Sequence, residues 1–292
     1  MQRTLDVIKE SLGVPDFDNG KSIIYRGDCI EFMERMPNAL IPLTVTSPPY
    51  NIGKEYEKRL TLEEYLDWTS EWLAQVYRIT EETGSFWLNV GYVPVSGKGK
   101  AVPLPYLLWD KTDFFMLQEV VWTYGAGVAA RKTFSPRNEK FLWYVKDDGD
   151  YTFNLDDVRD PDVKYPNQKK NGKLKCNPLG KNPGDVWSIP KVTSGRGRAS
   201  VERTPHPAQF PEALIERVIL ASSNPGDVIL DPFLGSGTTA VVANRLGRLC
   251  VGFELREDYL KVASERIKDI EKTAVQEPLE IFVDDGELMG VS

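Results

Sequence analysis

Asp231-Pro232-Phe233-Leu234-Gly235-Ser236-Gly237-Thr238-Thr239 follows the apolar run Val228-Ile229-Leu230 and leads into Thr238 to Leu246, which reads as a helix closed by Gly247. A strand, a tight turn and a helix in that order form the unit from which parallel α/β sheets are built. Gly235 and Gly237 let the backbone turn sharply and approach a ligand closely. The helix behind them points its free N–H groups at whatever occupies the turn. No lysine follows the second glycine, which excludes a P-loop, and the third glycine of a dinucleotide fingerprint is missing. One strand later, Arg248 to Phe253 ends at Glu254. An acid at that place is set to accept hydrogen bonds from ribose hydroxyls. Taken alone, the stretch has as its lesser alternative a glycine turn beside a surface acid.

Working outward, the same alternation recurs. Pro211 to Ser222 reads as a helix before the strand, and Arg256 to about Lys272 as a helix after Glu254. Toward the N-terminus, Ser22 to Arg26 reads as a strand, and Gly27-Asp28 turns the chain into a helix carrying Ile30, Phe32, Met33 and Met36. Leu43 to Thr46 is a short apolar strand stopped by Ser47-Pro48-Pro49, because proline lacks the ladder N–H. A helix is predicted from about Leu62 to Arg78, with Leu62, Tyr65, Leu66, Trp72, Leu73 and Val76 on its apolar face. Further strands are predicted at Ser85 to Val90, Glu119 to Tyr124 and Lys140 to Val145. Repeated strand–helix units predict a parallel, doubly wound sheet. From Asp147 to Thr204 the periodicity collapses into a stretch rich in Asp, Lys, Asn, Pro and Gly. That is too long for an ordinary connection, and loops of such length are usually functional or disordered.

The 292 residues, 41% hydrophobic and 27% charged, are enough for one large α/β domain with an insertion, or at most two domains. No apolar run approaches the ~20 residues of a membrane span. Met1 to Pro15 lacks the apolar core of a signal peptide, so a soluble, cytoplasmic protein is expected. Cys29, Cys176 and Cys250 form no CxxC pair, which argues against a zinc ribbon or a disulfide framework. Cys29 and Cys250 read as buried small apolar groups. The single histidine, His206, argues against a His-rich metal site or a Ser-His-Asp triad, and no metal is expected. The net charge of −7 sits awkwardly with nucleic-acid binding, yet Lys164 to Arg203 carries net +8. On charge alone that segment is either a focused phosphate-binding face or a solvated, mobile loop. Acids crowd instead into the tail, as in Glu277, Glu280, Asp284, Asp285 and Glu287.

The second informative stretch is Thr46-Ser47-Pro48-Pro49-Tyr50. Two prolines make a stiff loop that holds Ser47, the Pro48 carbonyl and the Tyr50 ring with little freedom. A rigid pair of acceptors beside an aromatic plate suits the amino edge and the face of an unstacked base. The same residues would also serve a Pro-Pro turn with a packed tyrosine. Both stretches follow strand ends, where open α/β sheets bind ligands.

Together, the Ser-Pro-Pro-Tyr loop and the strand-ending glycine loop resemble the S-adenosylmethionine-dependent DNA amino-methyltransferases. The catalytic loop comes first and the basic region lies between it and the glycine loop, an order similar to the permuted β group of that family. The resemblance runs from about Tyr25 to Ile267 and takes in Arg26-Gly27-Asp28-Cys29 and His206-Pro207-Ala208-Gln209-Phe210-Pro211. It implies a Rossmann-like class I methyltransferase sheet, circularly permuted. Residues 20–146 would form its catalytic half, 147–204 an irregular basic target-recognition insertion, 205–272 its cofactor half and 273–292 an acidic tail. It implies Ser47, Pro48, Pro49 and Tyr50 as catalytic residues. S-adenosylmethionine contacts would come from Asp28, Cys29, Asp231, Phe233, Gly235, Ser236, Gly237, Thr238 and Glu254. DNA contacts would come from Lys169, Lys170, Lys173, Lys175, Arg196, Arg198 and Arg203, with Phe134 or Trp122 as a second wall of the base pocket, although an aromatic residue at either place is more often core. His206 either contacts the cofactor region or simply orders the loop before its helix.

The implied partners are double-stranded DNA, a cognate restriction endonuclease and a second copy in a homodimer. Ser-Pro-Pro-Tyr is more typical of cytosine N4 enzymes and Asp-Pro-Pro-Tyr of adenine N6 enzymes, so methylation of cytosine N4 is expected. Adenine N6 is the alternative within the class, and a catalytically inactive DNA-binding protein of the same fold the alternative outside it. Protein glutamine methyltransferases carry a related Asn-Pro-Pro-Tyr loop, but theirs follows the cofactor motif.

Overall fold

The computed structural model of the chain describes residues 2–55, 57–125, 127, 129–192 and 200–276. In its first half lie helix α1 (Gln2–Leu12), strands β1 (Phe17–Asp18) and β2 (Ser22–Arg26), helix α2 (Cys29–Arg35), β3 (Ile41–Thr46), α3 (Leu62–Ile79) and β4 (Thr80–Val90). A ribbon of β5 (Tyr92–Val95) and β6 (Gly99–Pro103), the short α4 (Leu104–Leu108) and the hairpin strands β7 (Phe115–Thr123) and β8 (Asn138–Val145) follow. The second half has β9 (Lys169–Lys170), β10 (Lys173–Leu174), β11 (Val186–Ser188), α5 (Glu212–Ser222), β12 (Val228–Asp231), α6 (Thr238–Arg245), β13 (Leu249–Glu254) and α7 (Glu257–Gln276).

Among the described residues, nine strands make one sheet in the order β1-β2-β13-β12-β3-β4-β8-β7-β11. From β2 to β4 all neighbours are parallel, while β8 runs antiparallel to both β4 and β7. This is a mixed α/β fold around a large, mostly parallel sheet. The short apolar strands are buried on both faces, so alternate side chains feed two cores. Phe86, Leu88, Leu230, Val251 and Phe253 enter one core, with α1, α2, α3 and α4. Trp87, Ile229 and Cys250 enter the other, with α5, α6 and α7. Helix α3 begins where Thr61 and Glu64 form a reciprocal capping box, and it buries Tyr65, Thr69, Trp72, Leu73 and Val76.

Three features depart from expectation. The charged N-terminus forms an amphipathic helix, α1, whose Leu5, Ile8 and Leu12 are buried. Strand β4 begins at Thr80, directly after α3. The described part of the stretch 147–204 is anchored to the body: β11 adds to the main sheet parallel to β7, and Trp187 stacks on Trp87 at 5.8 Å between ring centres. Within that stretch β9 and β10 form a separate ribbon turning at Asn171 and Gly172, whose φ values of 53° and 77° suit a type I′ turn. Its lysines 169, 170 and 173 are exposed. Arg196, Arg198 and residues 277–292 of the tail lie outside the described residues. Among those described, no helix is long and apolar enough to cross a membrane.

Candidate active site

Because β2, β13, β12, β3 and β4 are parallel, their carboxyl ends lie along one edge of the sheet. They deliver Gly27-Asp28, Glu254, the glycine loop, Ser47 to Tyr50 and Asn89 to that edge. The antiparallel β8 brings its starting residues, Asn138 and Glu139, to the same edge, opposite Trp122 and Tyr124 at the end of β7. Between them lies a cavity of about 470 Å³, within the range of small-molecule and cofactor sites. It is lined by Asp28, Cys29, Ser47, Pro48, Pro49, Tyr50, Phe233, Gly235, Ser236, Thr238 and Glu254 among the residues expected from sequence.

At the catalytic-loop end, the Ser47 Oγ and Tyr50 Oη atoms are 2.9 Å apart. Both hydroxyls donate to Asn89 Oδ1, at 3.3 and 2.8 Å respectively. Asn89 is itself buried, and its Nδ2 donates to the Lys140 carbonyl, which fixes the amide with its oxygen toward the loop. A serine hydroxyl whose proton is taken by Asn89 or by the Tyr50 oxygen presents lone pairs to the cavity. The loop is held from behind by the Tyr65 hydroxyl, which donates to the Pro49 carbonyl at 2.9 Å. Gly91 leaves room for the Tyr50 ring, since a Cβ there would lie 3.0 Å from it.

At the glycine-loop end, Glu254 accepts from Gly235 N–H and Arg256 N–H, both at 2.8 Å. Burial pushes its carboxyl above the usual range. A carboxylate has about four lone-pair positions, so two remain for a ligand. Phe233 packs edge-on against Trp68 and Trp72. Arg266 donates to the Ser236 carbonyl, to Thr238 Oγ1 and to Glu212, which ties the glycine loop to α5. Asp28 caps α2, accepting from Ile30 and Glu31 N–H. Cys29 is buried, and burial raises its thiol far above the ordinary value, so it offers no reactive thiolate.

Two expected contacts lie elsewhere. Asp231 is buried away from the cavity lining, accepting from Thr46 Oγ1 and Thr239 Oγ1, both at 2.6 Å, and from Phe233 N–H at 3.1 Å. It joins the strand before Ser47 to the glycine loop and to α6, so it works as a tie between the two halves of the site. Gly237 is absent from the lining too: with φ 79° it opens α6, and a Cβ would sit 2.7 Å from that of Ala263. Its glycine is required by helix packing.

Of the two aromatic residues expected at the base pocket, Trp122 lines the cavity, whereas Phe134 is fully exposed to solvent. His206 packs edge-on against Tyr259 at 4.4 Å, and its Nε2 would be 3.0 Å from a Cβ on Gly235. Burial lowers its pKa to about 4, so it stands neutral in the cavity wall against the glycine loop.

Asn89, Tyr124, Glu139 and Lys191 also line the cavity, and no sequence motif singled them out. Lys191 lies 2.5 Å from Glu139 and 3.9 Å from the Tyr124 ring centre. Asn89 had one legible signal, a polar residue within the buried run Phe86-Trp87-Leu88-Asn89-Val90. Lys169, Lys170, Lys173, Lys175 and Arg203 lie outside the lining.

Comparison with known proteins agrees with this geometry. A DNA methylase family profile, N6_N4_Mtase, matches residues 41–265. The chain is 65% identical to the type II methyltransferase M.ScaI of Streptomyces caespitosus, over 89% of this chain and 86% of that protein. It is 40% identical to the type II methyltransferase M.BglII of Bacillus subtilis, over 82% and 67%. It is 33% identical to the DNA adenine methyltransferase YhdJ of Escherichia coli (strain K12), over 86% and 84%. Among solved structures, it superposes on the cytosine-N4-specific PvuII DNA methyltransferase with a TM-score of 0.64 at 22% identity, over 86% and 92% of the chains. A putative DNA modification methylase from Thermus thermophilus, complexed with S-adenosyl-L-methionine, gives 0.57 at 25% identity, over 84% and 93%.

Proposed function

The chain belongs to the N6_N4_Mtase family of DNA methylases, and on that premise we propose that it methylates the exocyclic amino group of a base flipped from double-stranded DNA, the N4 of cytosine before the N6 of adenine. The observation that carries this reading is the Ser47–Tyr50–Asn89 cluster, which shares one cavity with the glycine loop.

The residues present fit S-adenosylmethionine as methyl donor. Glu254 keeps lone pairs for a ribose diol, Phe233 offers an apolar face, and Gly235 is a backbone cradle that a Cβ would close against His206. Asp28 and Cys29 stand where the neighbouring strand ends. When bound, the cofactor supplies an electrophilic sulfonium methyl group.

The protein's own task lies with the nucleophile. An exocyclic amine shares its lone pair with the ring and attacks poorly. Ser47 Oγ and the Pro48 carbonyl accept its two hydrogens, drawing the nitrogen toward tetrahedral geometry and freeing the lone pair. Asn89 keeps Ser47 in its accepting orientation, and Tyr50 lies against the base and holds it for attack. Trp122 and Tyr124 close the far wall. No covalent adduct is required.

Serine at position 47, a neutral acceptor in place of a carboxylate, supports cytosine N4. The adenine reading draws on the 33% identity to an enzyme named as a DNA adenine methyltransferase. The type II designation of the Streptomyces and Bacillus relatives extends the proposal to a restriction–modification setting with a cognate endonuclease. The test is to incubate unmethylated DNA with protein and S-adenosylmethionine, digest it and identify the nucleosides by mass spectrometry. N4-methylcytosine is expected. N6-methyladenine would keep the mechanism and change the base, and no methylated nucleoside would overturn the proposal.

A further inference from the structure

The cavity rim carries an element that the methyl-transfer chemistry leaves unused, the loop between β7 and β8. Its two ends belong to the site: Trp122 and Tyr124 on one side and Pro136, Asn138 and Glu139 on the other line the cavity. Ahead of Pro136, residues 129–134 are exposed to solvent. The Ala130 N–H donates to Ser135 Oγ at 2.9 Å, closing residues 130–135 into a compact tip. On that tip Phe134 is fully exposed, with the side chains of Arg131 and Lys132 exposed beside it. An isolated aromatic held in water has no folding role, and the two cations have no ion pair within the described residues.

Extruding a base leaves an unstacked gap in the duplex, and an apolar side chain inserted between base steps offsets part of that loss. Cations beside the wedge would meet the flanking phosphates. We propose that the 129–137 loop is a duplex-contacting wedge, with Phe134 taking the stacking place of the extruded base and Arg131 and Lys132 engaging the backbone on either side. This rests on the reading of the protein as a DNA methyltransferase. Its content is distinct, because it concerns the duplex left behind and not the base in the pocket.

The test uses the full chain and a duplex bearing the site at which wild-type protein methylates plasmid DNA. The target base is presented either paired or mismatched, and methyl transfer is followed under single-turnover conditions. A mismatched base is already partly free of its stack, so a wedge has less to contribute there. Phe134→Ala is expected to slow transfer on the paired duplex by roughly ten- to hundredfold, the scale of a few kcal/mol of unstacking. On the mismatched duplex it is expected to remain within a fewfold of wild type. Phe134→Trp should restore the paired rate, and Arg131→Ala with Lys132→Ala should weaken binding of both duplexes alike. Cofactor affinity, measured by titration calorimetry, should be unchanged in all variants.

Wild-type rates for Phe134→Ala on the paired duplex would overturn the wedge and leave the methyltransferase reading intact. Equal losses on both duplexes would overturn it too, as would a dimer that this substitution dissolves. Absence of methyl transfer by the wild type on any DNA would instead remove the premise, and the wedge with it.

Discussion

Ser47 and Asp231 show how differently two polar residues at neighbouring strand ends can serve one site. Ser47 faces the cavity with its hydroxyl held between Asn89 Oδ1 and the Tyr50 hydroxyl. Ser47→Ala removes an acceptor that matters most as the amine becomes tetrahedral, so the effect should fall on kcat. A loss of about 10²- to 10³-fold is expected, with KM for DNA and cofactor within a fewfold, by analogy with deleting one oriented hydrogen-bond partner elsewhere. Equal kcat in the variant would remove Ser47 from the chemistry. Asp231 is fully buried, and desolvation lifts its pKa to about 6 even though Thr239, Thr46 and Phe233 all donate to it. Its folded pKa thus exceeds the unfolded one. The folded state holds the proton more tightly, so this group's contribution is present at low pH and is lost as pH rises from about 4 through 6. The size is on the order of 3 kcal/mol for two pKa units. His206, held neutral with its pKa lowered to about 4, has the opposite sign: its contribution is complete above 6.5 and is lost as pH falls toward 4. The two offset each other in the wild type, so only a variant separates them. Asp231→Asn strands one threonine hydroxyl, at a cost of about 1–3 kcal/mol. Denaturant midpoints should show its deficit against wild type shrinking between pH 4 and 7. A deficit independent of pH would contradict the assignment.

At the scale of elements, the catalytic loop gets its rigidity from α3 as well as from its prolines. The reciprocal cap at Thr61 and Glu64 sets where α3 starts, and that start places Tyr65 under the loop with its hydroxyl on the Pro49 carbonyl. Tyr65→Phe keeps the packing and removes one hydrogen bond, for a stability loss of about 1 kcal/mol. Because a small displacement of the acceptors degrades attack geometry, kcat is expected to fall by about tenfold or more while cofactor affinity holds. A stability loss without a rate change would show the bond to be structural only. This coupling was not legible from residues alone: Tyr65 announced itself as one position of an apolar stripe. What could be read were the features with local causes. The glycine turn after β12, the proline stop after β3 and the 3.6-residue stripe of α3 each depend on neighbours in sequence, and the structure shows each in place. Asn89 meets Tyr50 because β4 lies beside β3, Glu139 joins them because β8 pairs antiparallel with β4, and Lys191 reaches Glu139 because the insertion returns along β7. Such long-range pairings leave little trace in composition. Phe134 failed for a related reason, since its sequence position near Tyr124 and Glu139 says nothing about whether a loop folds inward or outward.

At the scale of the whole molecule, charge governs how the site meets its substrate. Net +8 between Lys164 and Arg203 leaves net −15 on the rest of the chain, so attraction for a polyanion should concentrate on that segment and on locally exposed cations such as Arg131 and Lys132, against a repelling acidic remainder. The ribbon of β9 and β10 shows Lys169, Lys170 and Lys173 to solvent, with Lys175 just beyond it, and none of them is in an ion pair within the described residues. If these lysines meet phosphates, each displaces condensed counterions, and the logarithm of affinity falls by about 0.9 per contact for each logarithmic unit of salt. Replacing all four by alanine should then lower the salt slope by about 3 to 4 and weaken specific and nonspecific duplexes by similar factors. Their exposure means the fold should not respond, which a matched melting temperature would confirm. Fluorescence anisotropy across a salt series makes the comparison. An unchanged slope would make the ribbon a solvated loop and assign DNA anchoring to the remaining basic residues. A slope reduced only on the methylated site would turn the lysines from phosphate anchors into readers of sequence, since backbone contacts alone carry no preference among bases.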